Sequence, residues 1–444
     1  MKKVALHTLG CKVNTYETDA MEQMLVAHGY EIVPFDKGAD IYIINTCSVT
    51  NMADRKSRQM LHKAKKMNPN AVVVAAGCYV QAAPEEVMAD VGVDLVVGNN
   101  KKKDLIQILE NYFVEHEMEN VIDIAHTNEY ESLTITKLSN HTRAYIKVQD
   151  GCNQFCSYCI IPYTRGRVRS REFLDIKTEV ETLVAQGTKE FVLTGIHLSS
   201  YGVDFKDKEY GLLQLILDLS NINGVERIRL GSLEPRIVTE EFVKTLSQLD
   251  KFCPHFHLSL QSGCNETLRR MNRHYTAEEY YEKCELLRKY FVMPAITTDV
   301  IVGFPEETEE EFKITKEFLA KVQFYEMHIF KYSKRKGTRA AEMPNQVDES
   351  IKTKRSNELL ALEKQMSEKY RTYFIGKEVS VLTEEKAIIN GKEYMVGHTK
   401  EYVKVAIDMD LIHGMDKENL IVTGILGENL EENVYLLKEI QKDS

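Results

Sequence analysis

The chain has 444 residues, of which 43% are apolar and 28% charged, and its net charge is −10. That length exceeds one ordinary core and predicts two or three domains of a globular protein. No apolar run is long enough for a membrane span or a secretory leader, so a cytoplasmic location without membrane attachment is expected; the acidic balance excludes broad nonspecific nucleic-acid binding but not a local basic face.

In chain order, VALHTLG predicts a strand, ETDAMEQMLVAHG an amphipathic helix and ADIYIINT a strand. ADRKSRQMLHKAKK then predicts a helix, and AVVVAAG and VDLVVGN two more strands. This alternation implies a parallel sheet covered by helices. The acidic stretch around Glu115–Glu131 reads as a linker. A second alternating series comes next, with strands RAYIKVQ, EFVLTG, ERIRLGS, HFHLSLQSG, ITTDVIVGFP and EMHIFKYS. Six βα units predict an incomplete barrel, whose site gathers at the C-terminal ends of its strands. Asp348 is placed to cap a long helix running to about Phe374, with Gly376 ending it. Asn390–Gly391 is a hairpin signal, and the remainder predicts a small all-β barrel. The expected division is 1–105, 138–368 and 371–440.

Cytosolic proteins rarely keep disulfides, so clustered thiols in this chain point to metal or catalysis. Cys152, Cys156 and Cys159 form C-x3-C-x2-C directly after a strand. Three thiolates on one loop can hold three corners of a cubic iron–sulfur cluster and leave one iron open. A zinc knuckle with a remote ligand or a redox CxxC are the alternatives. Cys11, Cys47 and Cys78 each lie just past the end of an expected sheet strand. In a parallel sheet those ends share one edge, which predicts a second three-thiolate site. The plainer alternative is three small buried residues. Cys253, Cys264 and Cys284 show no such pattern and are expected in core or helix positions.

With Tyr158 before its last cysteine, the C-x3-C-x2-C motif resembles that of the radical S-adenosylmethionine enzymes. "TLGCKVN", "NTCSVT" and "AAGCY" resemble the methylthiotransferase branch of that superfamily. The resemblance implies an α/β fold: an N-terminal parallel-sheet α/β domain, a central partial (β/α)6 radical-SAM barrel and a C-terminal TRAM-like barrel that binds RNA. "GCKVNTYETD", "LTGIHLSSYG" and "GSLEP" resemble the members that act on N6-threonylcarbamoyladenosine in tRNA, next to the anticodon.

The same resemblance implies two [4Fe-4S] clusters, one held by Cys152, Cys156 and Cys159 and the other by Cys11, Cys47 and Cys78. By that likeness the first binds S-adenosylmethionine for cleavage to a 5′-deoxyadenosyl radical, and the second carries the sulfur. The implied partners are tRNA, S-adenosylmethionine and an electron donor such as flavodoxin or ferredoxin. The likeness also implies roles at the cofactor: Tyr158 packs near the adenine, Thr194 and Gly195 meet the methionine amine, Ser259 and Gln261 reach the ribose, and Gly303 ends the next strand at the same rim. Side-chain acids and bases cannot functionalise carbon 2 of adenine, so the cofactor carries that step.

Three basic runs flank the expected site edges. Arg165, Arg167, Arg169 and Arg171 alternate, which places them on one side of an extended segment and offers them to phosphates. Arg55, Arg58 and Lys65 lie on the helix after Cys47, and Lys334 and Arg335 come after the last barrel strand. The arginines from Arg165 to Arg171 and the His197 region are the candidates to meet a threonyl carboxylate. From Gly376 onward there are eight Lys, no Arg and fourteen acids, a poor general phosphate binder. Two rivals stand beside this reading: a methylthiotransferase acting on another tRNA adenosine or a ribosomal protein, and a metal-stabilised RNA-binding protein without catalysis.

Overall fold

A computed structural model describes residues 1–138, 142–206, 210–412 and 418–441. Its first sheet has six parallel strands in the order β2-β1-β3-β4-β5-β6. These are β1 (Lys3–Thr8), β2 (Glu31–Ile32), β3 (Ile41–Thr46), β4 (Val72–Gly77), β5 (Leu95–Val97) and β6 (Glu119–Asn120). Helix α1 (Lys12–Ala27) and the helix Leu105–Glu115 cover one face through Met21, Leu25, Ile108 and Leu109. Helix α2 (Asn51–Met67) covers the other through Leu61 and Ala64. Burial on both faces explains why β3 is apolar almost throughout rather than alternating.

The acidic stretch expected as a linker is packed instead. β6 extends the sheet, Ile124 is buried, and the buried Glu131 accepts from the Lys103 backbone N–H at 3.1 Å. Leu133 and Ile135 then enter the central core. Their apolar side chains are too sparse for periodicity to reveal.

Six parallel strands come next in chain order: β7 (Arg143–Asp150), β9 (Glu190–Gly195), β10 (Arg227–Leu230), β12 (His255–Leu258), β13 (Ala295–Val302) and β14 (Glu326–Lys331). They divide into sheets β10-β9-β7-β8 and β11-β12-β13-β14, where β8 is Arg169–Ser170 and β11 is Ser232–Leu233. The division falls at Gly231, and an Ile228–Phe252 bridge joins the halves. The expected incomplete barrel is present, and α1 packs on its first strand, β7.

Asp348 caps the helix Glu349–Thr372 by accepting from Ser350 N–H. The C-terminal part is a closed barrel β15-β16-β17-β19-β18, made of β15 (Glu378–Ile389), β16 (Lys392–Thr399), β17 (Lys404–Asp408), β18 (Ile421–Glu431) and β19 (Val434–Gln441). Asn390 and Gly391 both take positive φ in its first hairpin, as the dipeptide predicts. This barrel docks at the strand-start end of the central one. Arg227 donates to the Ser380 and His398 carbonyls, and Arg143 pairs with Glu384.

Candidate active site

The loop after β7 is held by its neighbours. Cys152 N–H donates to Gly166 O, Ser157 N–H to Met271 O, and Cys159 N–H to Cys156 O, each at 3.0 Å. Phe155 stands at φ +49°, and its carbonyl accepts from Asn272 Nδ2 at 3.0 Å. Such backbone is retained when its surroundings over-determine it. The Arg273 guanidinium donates to Cys156 Sγ at 3.2 Å, to Ser259 O, and through Nε to Tyr275 Oη. Burial pushes the Cys152 thiol up to about 11 and raises Cys159 further. A bound cation reverses that direction, since thiolate is the ligand form.

The other three cysteines converge as their strand-end positions predict. They influence one another electrostatically, and burial pushes Cys47 up to about 12. Gly10 (φ +107°) permits the approach, because a Cβ there would sit 3.0 Å from Cys47 Sγ. Asn14 ties the first two loops, donating to Leu9 O and Thr46 O at 2.7 and 3.0 Å. Thr46 Oγ1 ties the second to the third by accepting from Tyr79 N–H at 3.2 Å. α1 begins at Lys12 with Cys11 at its N-cap, earlier than the sequence pattern suggests, because Val13, Thr15 and Tyr16 weaken the helical signal.

Beside this triad lies a buried charge cluster. Glu17 meets Lys102 at 2.9 Å, Lys147 at 2.8 Å and Arg165; Asp150 meets Lys147 at 2.7 Å and Arg165 at 3.3 Å, with Arg169 at 3.7 Å. Four cations thus face two carboxylates, all of them buried. Arg165 also donates to Cys78 Sγ at 3.3 Å, and Asn99 Nδ2 to the same sulfur at 3.5 Å. Excess buried positive charge needs an anion nearby. Three thiolates of a bound iron–sulfur cluster would supply it, and the donor set, soft sulfur without carboxylate or imidazole, fits that group.

A cavity of about 790 Å³ runs inside the central barrel. Cys11 lines it together with Cys152, Cys156 and Cys159, so the two cysteine edges open on one space. Tyr158, Thr194, Gly195, Ser259 and Gln261 line it as well. Gly303 does not: its φ of +68° makes a turn, and a Cβ there would strike Lys352 at 2.3 Å, so it serves packing. His257, Asp299 and His328 line the cavity too, as does Tyr402 of the C-terminal barrel, stacked on His255 and His398 at 4.9 and 4.6 Å.

The alternating arginines do not form a phosphate-facing row. Arg165, Arg169 and Arg171 are buried, and Arg171 pairs with Glu179. Burying a guanidinium requires a partner, and the partners come from α1, β7 and the helix Phe173–Ala185, which a local pattern cannot show. Arg167 is half-buried over the Phe155 ring. His197 lines the cavity, but burial, then Arg273 and Arg236, pushes its imidazole down to about 4, so it is neutral and no cation for a carboxylate. Lys65 is held by Asp94 at 2.7 Å, Arg58 by Tyr79 Oη at 3.0 Å, and Arg335 is buried against Asp54 and Ser48. Arg55 and Lys334 remain exposed, and Asn51 Nδ2 donates to Lys334 O at 3.0 Å, which merges two of the expected basic runs into one surface. Exposed Val49, which lines the cavity, precedes α2. Sequence reasoning missed Lys12, Asn14, Glu17 and Arg273; the first three sit in the "GCKVNTYETD" stretch itself.

Two family models match: an uncharacterized protein family, UPF0004, over residues 3–98, and the radical SAM superfamily over 146–319. A threonylcarbamoyladenosine tRNA methylthiotransferase of Bacillus subtilis is 42% identical over 96% of this chain and 95% of its own. The chain belongs to the radical S-adenosylmethionine methylthiotransferases. This family member is a transferase that uses S-adenosylmethionine and [4Fe-4S] clusters. An Aquifex aeolicus protein of the same name is 42% identical over 88% of this chain and 95% of its own. A tRNA-2-methylthio-N(6)-dimethylallyladenosine synthase of a Thermoanaerobacter species is 37% identical over 85% and 81%. Among solved structures, the radical S-adenosylmethionine methyltransferase TsrM of Kitasatospora setae, with cobalamin and a [4Fe-4S] cluster bound, shares the fold at a TM-score of 0.55 and 15% identity, over 77% of each chain. Among the described residues no helix is long and apolar enough to cross a membrane.

Proposed function

We propose that this methylthiotransferase converts N6-threonylcarbamoyladenosine in tRNA to its 2-methylthio form. The observation that carries the reading is one cavity that receives both cysteine edges and is rich in cationic side chains. A threonylcarbamoyl group brings a carboxylate, a hydroxyl and amide-like groups, whereas an isopentenyl group is apolar. A polar cavity rejects the apolar analogue because its own groups stay unpaired.

Cys152, Cys156 and Cys159 hold one cluster, and Cys11, Cys47 and Cys78 the other. When bound, the clusters and S-adenosylmethionine supply the radical chemistry and the methylthio group at carbon 2. The chain's own residues bind, orient and shield. Tyr158, Thr194, Gly195, Ser259 and Gln261 contact the cofactor, and Arg273 and Arg165 neutralise thiolate charge on their respective sulfurs. Arg55 and Lys334 meet tRNA phosphates at the rim. A flavodoxin or ferredoxin supplies electrons in the cytoplasm, and the C-terminal barrel, TRAM-like but acidic, contributes position more than charge. The division 1–105, 138–368 and 371–440 is the organisation in which these parts act.

The test is mass spectrometry of nucleosides after reaction of the reconstituted enzyme with tRNA bearing threonylcarbamoyladenosine, tRNA bearing isopentenyladenosine, and a ribosomal protein fraction. The expected product is 2-methylthio-N6-threonylcarbamoyladenosine alone. Equal turnover of both tRNAs, or a modified protein, overturns the substrate reading.

A further inference from the structure

The cavity contains four residues with permanently or normally cationic side chains: Lys12, Arg143, Arg229 and Arg273. Three are committed. Arg143 pairs with Glu384 at 3.1 Å. Arg229 donates to Glu190 and to the Lys400 and Thr399 carbonyls. Arg273 spends its nitrogens on Tyr275, Cys156 and Ser259. Among the described residues the Lys12 side chain has no hydrogen-bond, ion-pair or ring partner, although it is accessible and lines the cavity. Three acids line the same space, and one of them, Glu326, stands beside Tyr325 at the start of β14. Glu234 pairs with Arg236, and Asp299 faces His257 at 3.3 Å. Lys12 also lies within the fields of Arg229 and Arg143, whose own counter-charges are Glu190 and Glu384.

We infer that Lys12 is the residue that reads the substrate's carboxylate and thereby sets which edge of the base meets the sulfur-bearing site. The inference rests on the proposed threonylcarbamoyladenosine substrate and sharpens that proposal. A carboxylate leaving water for such a cavity needs a charge-assisted partner. Lys12 directly follows Cys11, so the carboxylate reader and a ligand of the N-terminal cluster share one rigid piece of backbone. Asn14 fixes that piece, through its bonds to Leu9 O and Thr46 O. In the substrate, the carbamoyl N–H can close a six-membered hydrogen-bonded ring onto N1. That turns the carboxylate to the edge of the base that carries carbon 2. Holding the carboxylate at Lys12 therefore presents carbon 2 to the Cys11 side of the cavity.

The experiment uses the holoenzyme and two anticodon stem-loop RNAs, one with threonylcarbamoyladenosine and one with its primary carboxamide in place of the carboxylate. Wild-type enzyme is expected to favour the carboxylate on the order of 10- to 100-fold in kcat/KM and in affinity. Lys12→Met is expected to treat the two RNAs alike at unchanged iron content, while Lys12→Arg keeps the preference. If Lys12→Met loads less iron, Lys12→Gln and calorimetric binding of the two free nucleosides give the same comparison. Persistence of the preference in either neutral variant overturns the inference. A wild-type enzyme that modifies both RNAs equally well overturns the Lys12 assignment alone. One that modifies neither overturns the substrate reading, and this assignment with it.

Discussion

Cys152, Cys156 and Cys159 share one loop, while Cys11, Cys47 and Cys78 arrive from three strand ends. Each triad nonetheless has a guanidinium on one sulfur, Arg273 on Cys156 at 3.2 Å and Arg165 on Cys78 at 3.3 Å. The supports behind those arginines differ. Arg273 is held by neutral oxygens of Tyr275 and Ser259. Arg165 is held by ionised Glu17 and Asp150 inside a fully buried network. A loop site gets its geometry from short chain segments. A convergent site needs long-range contacts to hold its three pieces in register, and buried ion pairs specify that register at a cost in desolvation.

The largest effect separates the two triads by chemistry. Anaerobically reconstituted enzyme should bind about eight irons, and either triple change to Ala should leave about four. Changing Cys152, Cys156 and Cys159 should abolish S-adenosylmethionine cleavage, measured as 5′-deoxyadenosine. Changing Cys11, Cys47 and Cys78 should leave cleavage and stop methylthiolation. Iron content unaffected by the N-terminal change would refute the convergent site.

The supports should break unequally as well. Glu17→Gln leaves Lys102, Lys147 and Arg165 short of a counter-charge and should cost about 3–5 kcal/mol by chemical denaturation. Arg273→Met removes hydrogen bonds to neutral oxygens and should cost about 1–3 kcal/mol. The contrast has a pH signature. Arg165, then Lys102 and Lys147, outweigh burial and hold the Glu17 carboxyl well below its usual range. A depressed carboxyl stabilises the fold above the unfolded value of about 4.3 and loses that contribution as pH falls through the folded value. The gap between wild type and Glu17→Gln should therefore narrow on acidification below about 4.3, and the gap for Arg273→Met should not follow it.

The smallest effect concerns the basic residues, which divide along the same line of buried against exposed. Arg55→Glu with Lys334→Glu should weaken tRNA binding and lower the log–log salt slope by about 0.9 per lost duplex-like phosphate contact. Lys65→Gln, which removes a side chain already bound to Asp94, should leave that slope unchanged. Equal slopes for all variants would assign the α2 surface to solvent.

The sequence by itself determined the six cysteines, the βα alternation of two domains, the Asp348 cap and the Asn390–Gly391 hairpin. Each is a local feature: a thiol spacing, a hydrophobic period, a cap or a turn with positive φ. The convergence of Cys11, Cys47 and Cys78 was legible too, because strands of one parallel sheet share an edge. Only the tertiary structure decided which charges are free. Arg165, Arg169 and Arg171 read as a solvent-facing row, yet Glu17, Asp150 and Glu179 arrive from distant segments to bury them. Gly303 stands at a strand end but turns away from the cavity into Lys352. Lys12 lies inside the GCKVN motif, and its sequence neighbours say nothing of its partners. Pairing of a charge is a property of three-dimensional neighbours, and among the described residues the assembled barrel brings the Lys12 ammonium no partner.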